Sequence, residues 1–217
     1  MCKGRVGSVR RVLGMDGGAN VAVINPTRII GRWREGFALD VHTISSIHVG
    51  DDEFGHPVFE TRRSELGELL YQLKYRSDVS GVAEIARAVA DFVRKGDVRP
   101  EAIVPVPPTR GNRPHQPVLL VAAALGGLLG APVCEKAVTK KKDTPQLKDV
   151  FDYNERLSLL AGAFSADPRD IRGRRVLLLD DLYRSGATMN AVASVLYDDG
   201  GAADVYALAL TRTRRKS

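Results

Sequence analysis

Cysteine is scarce in this sequence, and its scarcity excludes two classes of small protein. The 217 residues include two cysteines, Cys2 and Cys134. Two are too few for a disulfide framework or a cysteine-rich zinc site, because both are built from several cysteines. The basic N-terminus is not followed by an apolar core, so no secretory signal is expected. We therefore predict a cytoplasmic protein.

Long hydrophobic segments are missing as well. One uncharged stretch, residues 118–133, has the composition of a membrane segment. It is shorter than the ~20 residues that a transmembrane helix needs, and three glycines and Pro132 interrupt it. The stretch therefore predicts a buried helix, and no association with a membrane is expected.

Charge is abundant and unbalanced. The sequence has 32 Lys and Arg against 26 Asp and Glu, a net charge of +6, while 44% of its residues are hydrophobic. This composition is typical of a soluble globular protein. The positive excess favours anionic partners, either phosphorylated small molecules or nucleic acid, and weak DNA binding without sequence specificity is one expectation.

One stretch in the C-terminal part combines a buried strand, an acidic pair, a loop of small residues and a helix. The aliphatic run 176–179 predicts a strand buried on both faces. Asp180 and Asp181 follow it directly, and residues 185–188 form a Ser-Gly-Ala-Thr loop. Apolar residues at helical spacing then predict a helix over residues 189–199.

Each part of this stretch suits a phosphorylated sugar. In open α/β sheets, ligands bind beyond the carboxyl ends of the strands, where the two carboxylates are expected. Gly186 lets the backbone approach a ligand, Ser185 and Thr188 carry hydroxyl groups, and the helix offers unpaired N–H groups to a phosphate. The spacing of a Walker A loop is absent. The alternative is an ordinary polar turn between a strand and a helix.

The first 62 residues differ from the rest in their pattern of short strand-like segments and turns, and we predict a small β-rich cap there. Short strand patterns occur between residues 21 and 43, separated by Asn-Pro and Glu-Gly turns. His42, His48 and His56 fall in this part beside acidic residues. A metal cluster is one interpretation, and exposed polar loops are the alternative that we favour. Residues 63–217 would then form the main domain.

Two helices are predicted at the start of the main domain. Ser64 can cap a helix that ends at Tyr75, with four leucines on one stripe. A second helix is predicted over residues 79–95, ended by Gly96. The charged groups at the end of the first helix, residues 71–76, are expected to be solvated.

Two further loops carry basic residues. A proline-rich loop, residues 107–116, follows a predicted buried strand and contains Arg110 and Arg113. Guanidinium groups bind phosphate oxygens in bidentate fashion, so this loop suits a pyrophosphate. The alternative is a proline-rich connection with solvated arginines. Residues 139–149, including Lys140, are polar and without regular periodicity. They predict either a lid over a substrate or a solvated loop.

The acidic pair and its loop resemble a known signature. The pattern Asp-Asp-x-x-x-Ser-Gly-Ala-Thr at residues 180–188 resembles the phosphoribosyl-pyrophosphate motif of type I phosphoribosyltransferases. Other stretches resemble the ComF-like, competence-associated branch of that family: residues 73–75, 103–107 and 144–164. The resemblance covers about residues 65 to 213. It implies an α/β fold: a parallel five-stranded sheet with helices on both faces, plus the N-terminal cap.

Two features depart from the family pattern. ComF-like proteins often begin with a cysteine-rich zinc ribbon, which this chain lacks, so its cap is of another kind. In 6-oxopurine salvage enzymes an Asp faces the purine just before the hydroxyl residue of the phosphate loop. Arg184 stands at that position here. The departure argues against simple hypoxanthine or guanine salvage.

The resemblance also implies an activity. It implies a glycosyltransferase of nucleotide metabolism, in which a nitrogen nucleophile attacks phosphoribosyl pyrophosphate in the presence of Mg²⁺, and a homodimer is expected. Asp180 and Asp181 would hold the ribose hydroxyls and, through water, the magnesium. The implied substrate-binding residues are Arg184, Ser185, Gly186, Ala187, Thr188, Arg110, Arg113 and Lys140. The alternative is a non-catalytic module that binds phosphoribosyl pyrophosphate or a nucleotide monophosphate in DNA uptake or processing.

Overall fold

The computed structural model describes residues 21–108, 116–142 and 159–214. In chain order its strands are β1 Thr27–Arg28, β2 Glu35–Val41, β3 Thr43–Asp51, β4 Pro57–Arg63, β5 Ala102–Pro105, β6 Val138–Lys140, β7 Phe164–Ala166, β8 Arg175–Tyr183 and β9 Asp204–Arg212. Its helices are α1 Glu65–Tyr75, α2 Val82–Lys95, α3 Pro117–Leu129 and α4 Ala187–Asp198.

Five strands form the central sheet, in the order β1-β2-β9-β8-β5. The pairs β2–β9, β9–β8 and β8–β5 are parallel, and β1 joins the edge antiparallel to β2. Helices α1, α2 and α3 pack on one face of the sheet, and α4 packs on the other. The predicted α/β class, with a parallel sheet between helices, is confirmed.

The central strand β8 shows why the sheet is buried on both sides. Val176 and Leu178 belong to the core on the α4 side, and Leu177 and Leu179 belong to the core below α1, α2 and α3. All four are at most 3% exposed. A run without alternation is the expected pattern for a parallel strand covered on both faces.

The helix ends follow the capping residues that the sequence supplies. Ser64 Oγ accepts a hydrogen bond from Gly67 N at 3.0 Å and begins α1. The second predicted helix begins at Val82, and Gly96 ends it as predicted. Pro117 stands in the first turn of α3, and Gly130 ends that helix with a φ of 66°, a left-handed conformation that glycine adopts without strain. No described helix is long and apolar enough to cross a membrane.

The N-terminal part divides between two sheets. Strand β2 pairs with β9 in the central sheet, whereas β3 and β4 form a separate antiparallel hairpin. On that hairpin His48 pairs with Asp51 and His56 pairs with Asp52, all on the surface. The described residues contain no group of three or more His, Cys, Asp or Glu that could hold a metal ion. The domain division at residue 62 stays a prediction, and β2 links the two parts through one sheet.

Candidate functional site

The acidic pair lies within a strand. Strand β8 continues to Tyr183, and its partner β9 runs alongside, with Asp180 opposite Ala209 and Leu182 opposite Thr211. The prediction that the strand ends before Asp180 was wrong, because β9 supplies backbone partners beyond the aliphatic run. Successive strand residues point to opposite faces, so the two carboxylates leave the strand on different sides.

A cavity of about 260 Å³ opens at the carboxyl ends of β5 and β8. Four of the predicted site residues line it: Asp180, Asp181, Arg184 and Thr188. The other described lining residues are Lys74, Val106, Pro107, Pro108, Gln116, Pro117, Val118 and Leu182. The position beyond the strand ends is the one expected for a ligand in an open α/β sheet.

Asp181 is held by a lysine from α1. Lys74 Nζ lies 2.8 Å from Asp181 Oδ2, and the two side chains are 12% and 22% exposed. The expectation that the charged groups at the end of α1 are solvated was wrong for Lys74. Sequence spacing gives no sign of this pairing, because it joins distant parts of the chain. The one indication in the sequence that Lys74 belongs to the site was the resemblance of residues 73–75 to the ComF-like pattern.

Asp180 is in a different electrostatic environment. Its Oδ1 accepts a hydrogen bond from the backbone N–H of Asp181 at 2.8 Å. Burial, reinforced by the negative charge of Asp181, raises the pKa of Asp180 to about 7, against the smaller opposing effects of that hydrogen bond and of Lys74. Asp180 therefore keeps its proton to a higher pH than an ordinary carboxyl does.

The loop between β8 and α4 requires a glycine at its centre. Gly186 has a φ of 79°, and a Cβ there would lie 2.7 Å from Tyr183 Cε2. Asn190 secures the turn, because its backbone N–H and its Nδ2 both donate to the Gly186 carbonyl, at 2.8 and 3.0 Å. A larger residue would displace the Tyr183 ring and strain the backbone.

The hydroxyl groups of this loop serve different purposes. Ser185 Oγ accepts a long hydrogen bond from Ala187 N at 3.5 Å, whereas Thr188 faces the cavity. Ser185, Gly186 and Ala187 are not among the described residues that line the cavity. They shape the turn that begins α4, whose first backbone N–H groups have no partner within the helix.

Residues behind Asp181 fix its backbone. Thr211, which is fully buried, donates from Oγ1 to the Asp181 carbonyl at 3.0 Å, and the same oxygen lies 3.3 Å from His42 Nδ1. Burial and the nearby positive charges of Lys74 and Arg63 lower the pKa of His42. His42 is therefore neutral at pH 7 and acts here as a packing and hydrogen-bonding residue.

The remaining predicted site residues lie elsewhere. Lys140 is in β6, which pairs with β7, and it is not among the described residues lining the cavity. Arg110, Arg113 and residues 143–149 of the predicted lid lie outside the described residues. Their assignment to a pyrophosphate and to a lid stays a prediction.

Comparisons with known proteins find similarity over part of the chain. No family model matches the chain. It is 33% identical over 99 residues to an adenine phosphoribosyltransferase of Mycobacterium marinum, covering 44% of this chain and 53% of that protein. It is likewise 33% identical over 93 residues to an adenine phosphoribosyltransferase of Corynebacterium efficiens, covering 40% and 48%.

Solved structures of the same enzyme class are also similar to the chain. Trypanosoma brucei adenine phosphoribosyltransferase, in complex with AMP, pyrophosphate and ribose-5-phosphate, covers 86% of this chain and 73% of its own, with a TM-score of 0.47 and 13% identity. The chain spans about half the length of the curated relatives that it matches. It is therefore similar to adenine phosphoribosyltransferases over part of its length.

Proposed function

We propose that the protein is a phosphoribosyltransferase that binds phosphoribosyl pyrophosphate and transfers its phosphoribosyl group to a nitrogenous acceptor. One observation carries this proposal. The cavity beyond β5 and β8 brings together two carboxylates, the guanidinium of Arg184 and Thr188 from the first turn of α4, and these groups suit a sugar phosphate. The partial similarity to adenine phosphoribosyltransferases supports the same activity.

The residues divide the work of binding. Asp180 and Asp181 would accept hydrogen bonds from the ribose hydroxyls and stabilise positive charge at the anomeric carbon. They would have the same role in the reverse reaction, in which the phosphoribosyl group leaves a nucleotide monophosphate. The backbone of residues 185–188 and the Thr188 hydroxyl would bind the ribose phosphate. Arg110, with Arg113 or Lys140, would bind the pyrophosphate, and Arg184, which lines the cavity, would contact the substrate.

In the reaction, a nitrogen atom of the acceptor forms a bond to the anomeric carbon while the bond to pyrophosphate breaks. Pyrophosphate leaves with the bonding electron pair, and the proton of the acceptor nitrogen passes to water. Charge builds up on the ribose ring as the bond breaks, and the carboxylates beside it stabilise that charge. Most of the catalysis would come from positioning and electrostatics.

The donor chemistry of the site fits Mg²⁺. Magnesium prefers oxygen ligands, keeps several waters and is often held by one or two carboxylates together with substrate phosphates. Asp180 and Asp181 are the described carboxylates that line the cavity, and Lys74 already occupies one oxygen of Asp181. Bound there with the substrate, the ion would offset the charge of the leaving pyrophosphate.

Several finer features belong to the same proposal. Membership of the ComF-like branch and a link to competence rest on the sequence resemblance and stay predictions. A cytoplasmic location, a homodimer and weak non-specific DNA binding stay predictions. No observation on the described residues favours the alternative of a module without turnover.

The test measures binding and turnover separately. Calorimetry with phosphoribosyl pyrophosphate should show binding that depends on Mg²⁺. Release of pyrophosphate should then appear with one member of a panel of bases that includes adenine, because adenine phosphoribosyltransferases are among the relatives. Binding without turnover across the panel would favour the non-catalytic alternative, and no binding would overturn the proposal.

A further inference from the structure

Lys74 is a cation that the signature around Asp180 does not contain. It comes from the last turn of α1, yet it lines the cavity with its ammonium 2.8 Å from Asp181. The neighbouring cation on the same side, Arg63, is already engaged: it contacts Glu68 at 3.2 Å and lies 3.7 Å above the Tyr71 ring. Of these two described cations, Lys74 is thus the one that faces the site.

The charges around the cavity show what Lys74 does. The charged side chains among its described lining residues are Lys74, Arg184, Asp180 and Asp181. Two carboxylates beside a phosphate site repel the phosphate, since like charges at short range interact strongly where water is partly excluded. Lys74 compensates the charge of Asp181 and leaves Arg184 to attract an anion.

The ammonium also has spare hydrogen-bonding capacity. A lysine ammonium carries three N–H donors and no acceptor. Asp181 Oδ2 takes one of them, and the side chain is only 12% exposed, so little water can satisfy the others. An anionic oxygen that enters the cavity would be an acceptor for a second donor.

We propose that Lys74 sets the charge of this site: it shields Asp181 from a free divalent cation and binds an anionic oxygen of the phosphorylated substrate. The inference rests on the proposed function for the identity of that substrate. It goes further in assigning a binding residue on α1 and a preference for the cation–substrate complex over the cation alone.

The assignment predicts effects of opposite sign when Lys74 is neutralised. Lys74→Met keeps the length of the side chain but removes its charge and its donors. Anions should bind more weakly, by about tenfold to a hundredfold, the factor typical of a lost charged hydrogen bond. A divalent cation alone should bind several times more tightly, because Asp181 is no longer paired. A purely structural role would weaken both.

The experiment uses the full chain and two simple probes. Binding of Mn²⁺ alone is followed by electron paramagnetic resonance, and binding of inorganic pyrophosphate without metal is followed by calorimetry. Lys74→Arg keeps the charge and should remain close to the wild type with both probes. Lys136→Met makes the same exchange at an exposed lysine outside the cavity and serves as the matched control.

Opposite shifts for Mn²⁺ and pyrophosphate in Lys74→Met, with Lys74→Arg near the wild type, would support the assignment. Shifts in the same direction, no shift, or no binding of either probe by any variant would overturn it. Lys74→Gln replaces Lys74→Met if circular dichroism shows that the latter does not fold. A wild type that fails to bind phosphoribosyl pyrophosphate with Mg²⁺ refutes the proposed function, whereas the two probes still decide the role of Lys74.

Discussion

Replacing Asp180 by Asn should stabilise the protein at alkaline pH while weakening ligand binding. The cause is the raised pKa of this carboxyl, which burial and the Asp181 charge move from 3.8 to about 7. The folded state therefore holds the proton to higher pH than the unfolded state does. Stability is then greatest below the unfolded pKa and declines as the pH rises from about 4 to about 7.

The size of the effect follows from the two pKa values. Each pH unit between them corresponds to about 1.4 kcal/mol, so the loss is about 4 kcal/mol over the whole range and about 2–3 kcal/mol of it falls above pH 5. Asn has nearly the same shape and does not titrate. Between about pH 5 and about pH 8, the free energy of unfolding of Asp180→Asn should therefore rise by about 2–3 kcal/mol relative to that of the wild type.

Urea denaturation with EDTA at both pH values measures this difference. Asp97→Asn, which alters an exposed carboxylate distant in sequence from the acidic pair, is the control and should follow the wild type. Asp180→Asn should also bind phosphoribosyl pyrophosphate about tenfold to a hundredfold more weakly in the presence of Mg²⁺. Parallel stability curves for wild type and Asp180→Asn would show that the carboxyl is not desolvated, and the reasoning would fail.

Three further changes test other parts of the site. Asp181→Asn should lower the free energy of unfolding by about 1–3 kcal/mol, because Lys74 is left partly buried without its charged partner, and it should weaken magnesium-dependent ligand binding. Thermal melts at pH 7 measure the first effect and calorimetry measures the second. An unchanged melting temperature would contradict the ion pair. Gly186→Ala should destabilise the fold by more than about 1 kcal/mol, because the residue has a positive φ and the new Cβ would meet the Tyr183 ring. Gly127→Ala lies inside α3 with nothing within 4 Å of the new Cβ, so it should stabilise the fold by up to about 1 kcal/mol. Equal effects of the two changes in urea denaturation would refute this account. Non-specific DNA should bind weakly at low salt and be lost at high salt in fluorescence anisotropy, and binding that persists at high salt would indicate a specific site instead.

The sequence by itself determined those features that depend on neighbouring residues. The uninterrupted aliphatic run 176–179 predicts a strand covered on both faces, because only such a strand tolerates apolar residues at successive positions. Ser64 and Gly96 mark a helix start and a helix end, because a capping hydroxyl and a glycine both act within a few residues. The small residues of the loop 185–188 likewise predicted the turn into α4, because turn formation depends on neighbouring residues.

The tertiary structure alone decided which distant parts meet. Strand β8 runs on through Asp180 because β9 offers a parallel partner, and pairing across a sheet leaves no local trace in the sequence. Strand β2 entered the central sheet for the same reason. Lys74 reaches Asp181 only because α1 packs over the carboxyl end of the sheet, and this contact, together with burial, gives two adjacent carboxyls different electrostatic environments. Burial and long-range charge are properties of the assembled fold, so no pattern of neighbouring residues could have predicted different environments for Asp180 and Asp181.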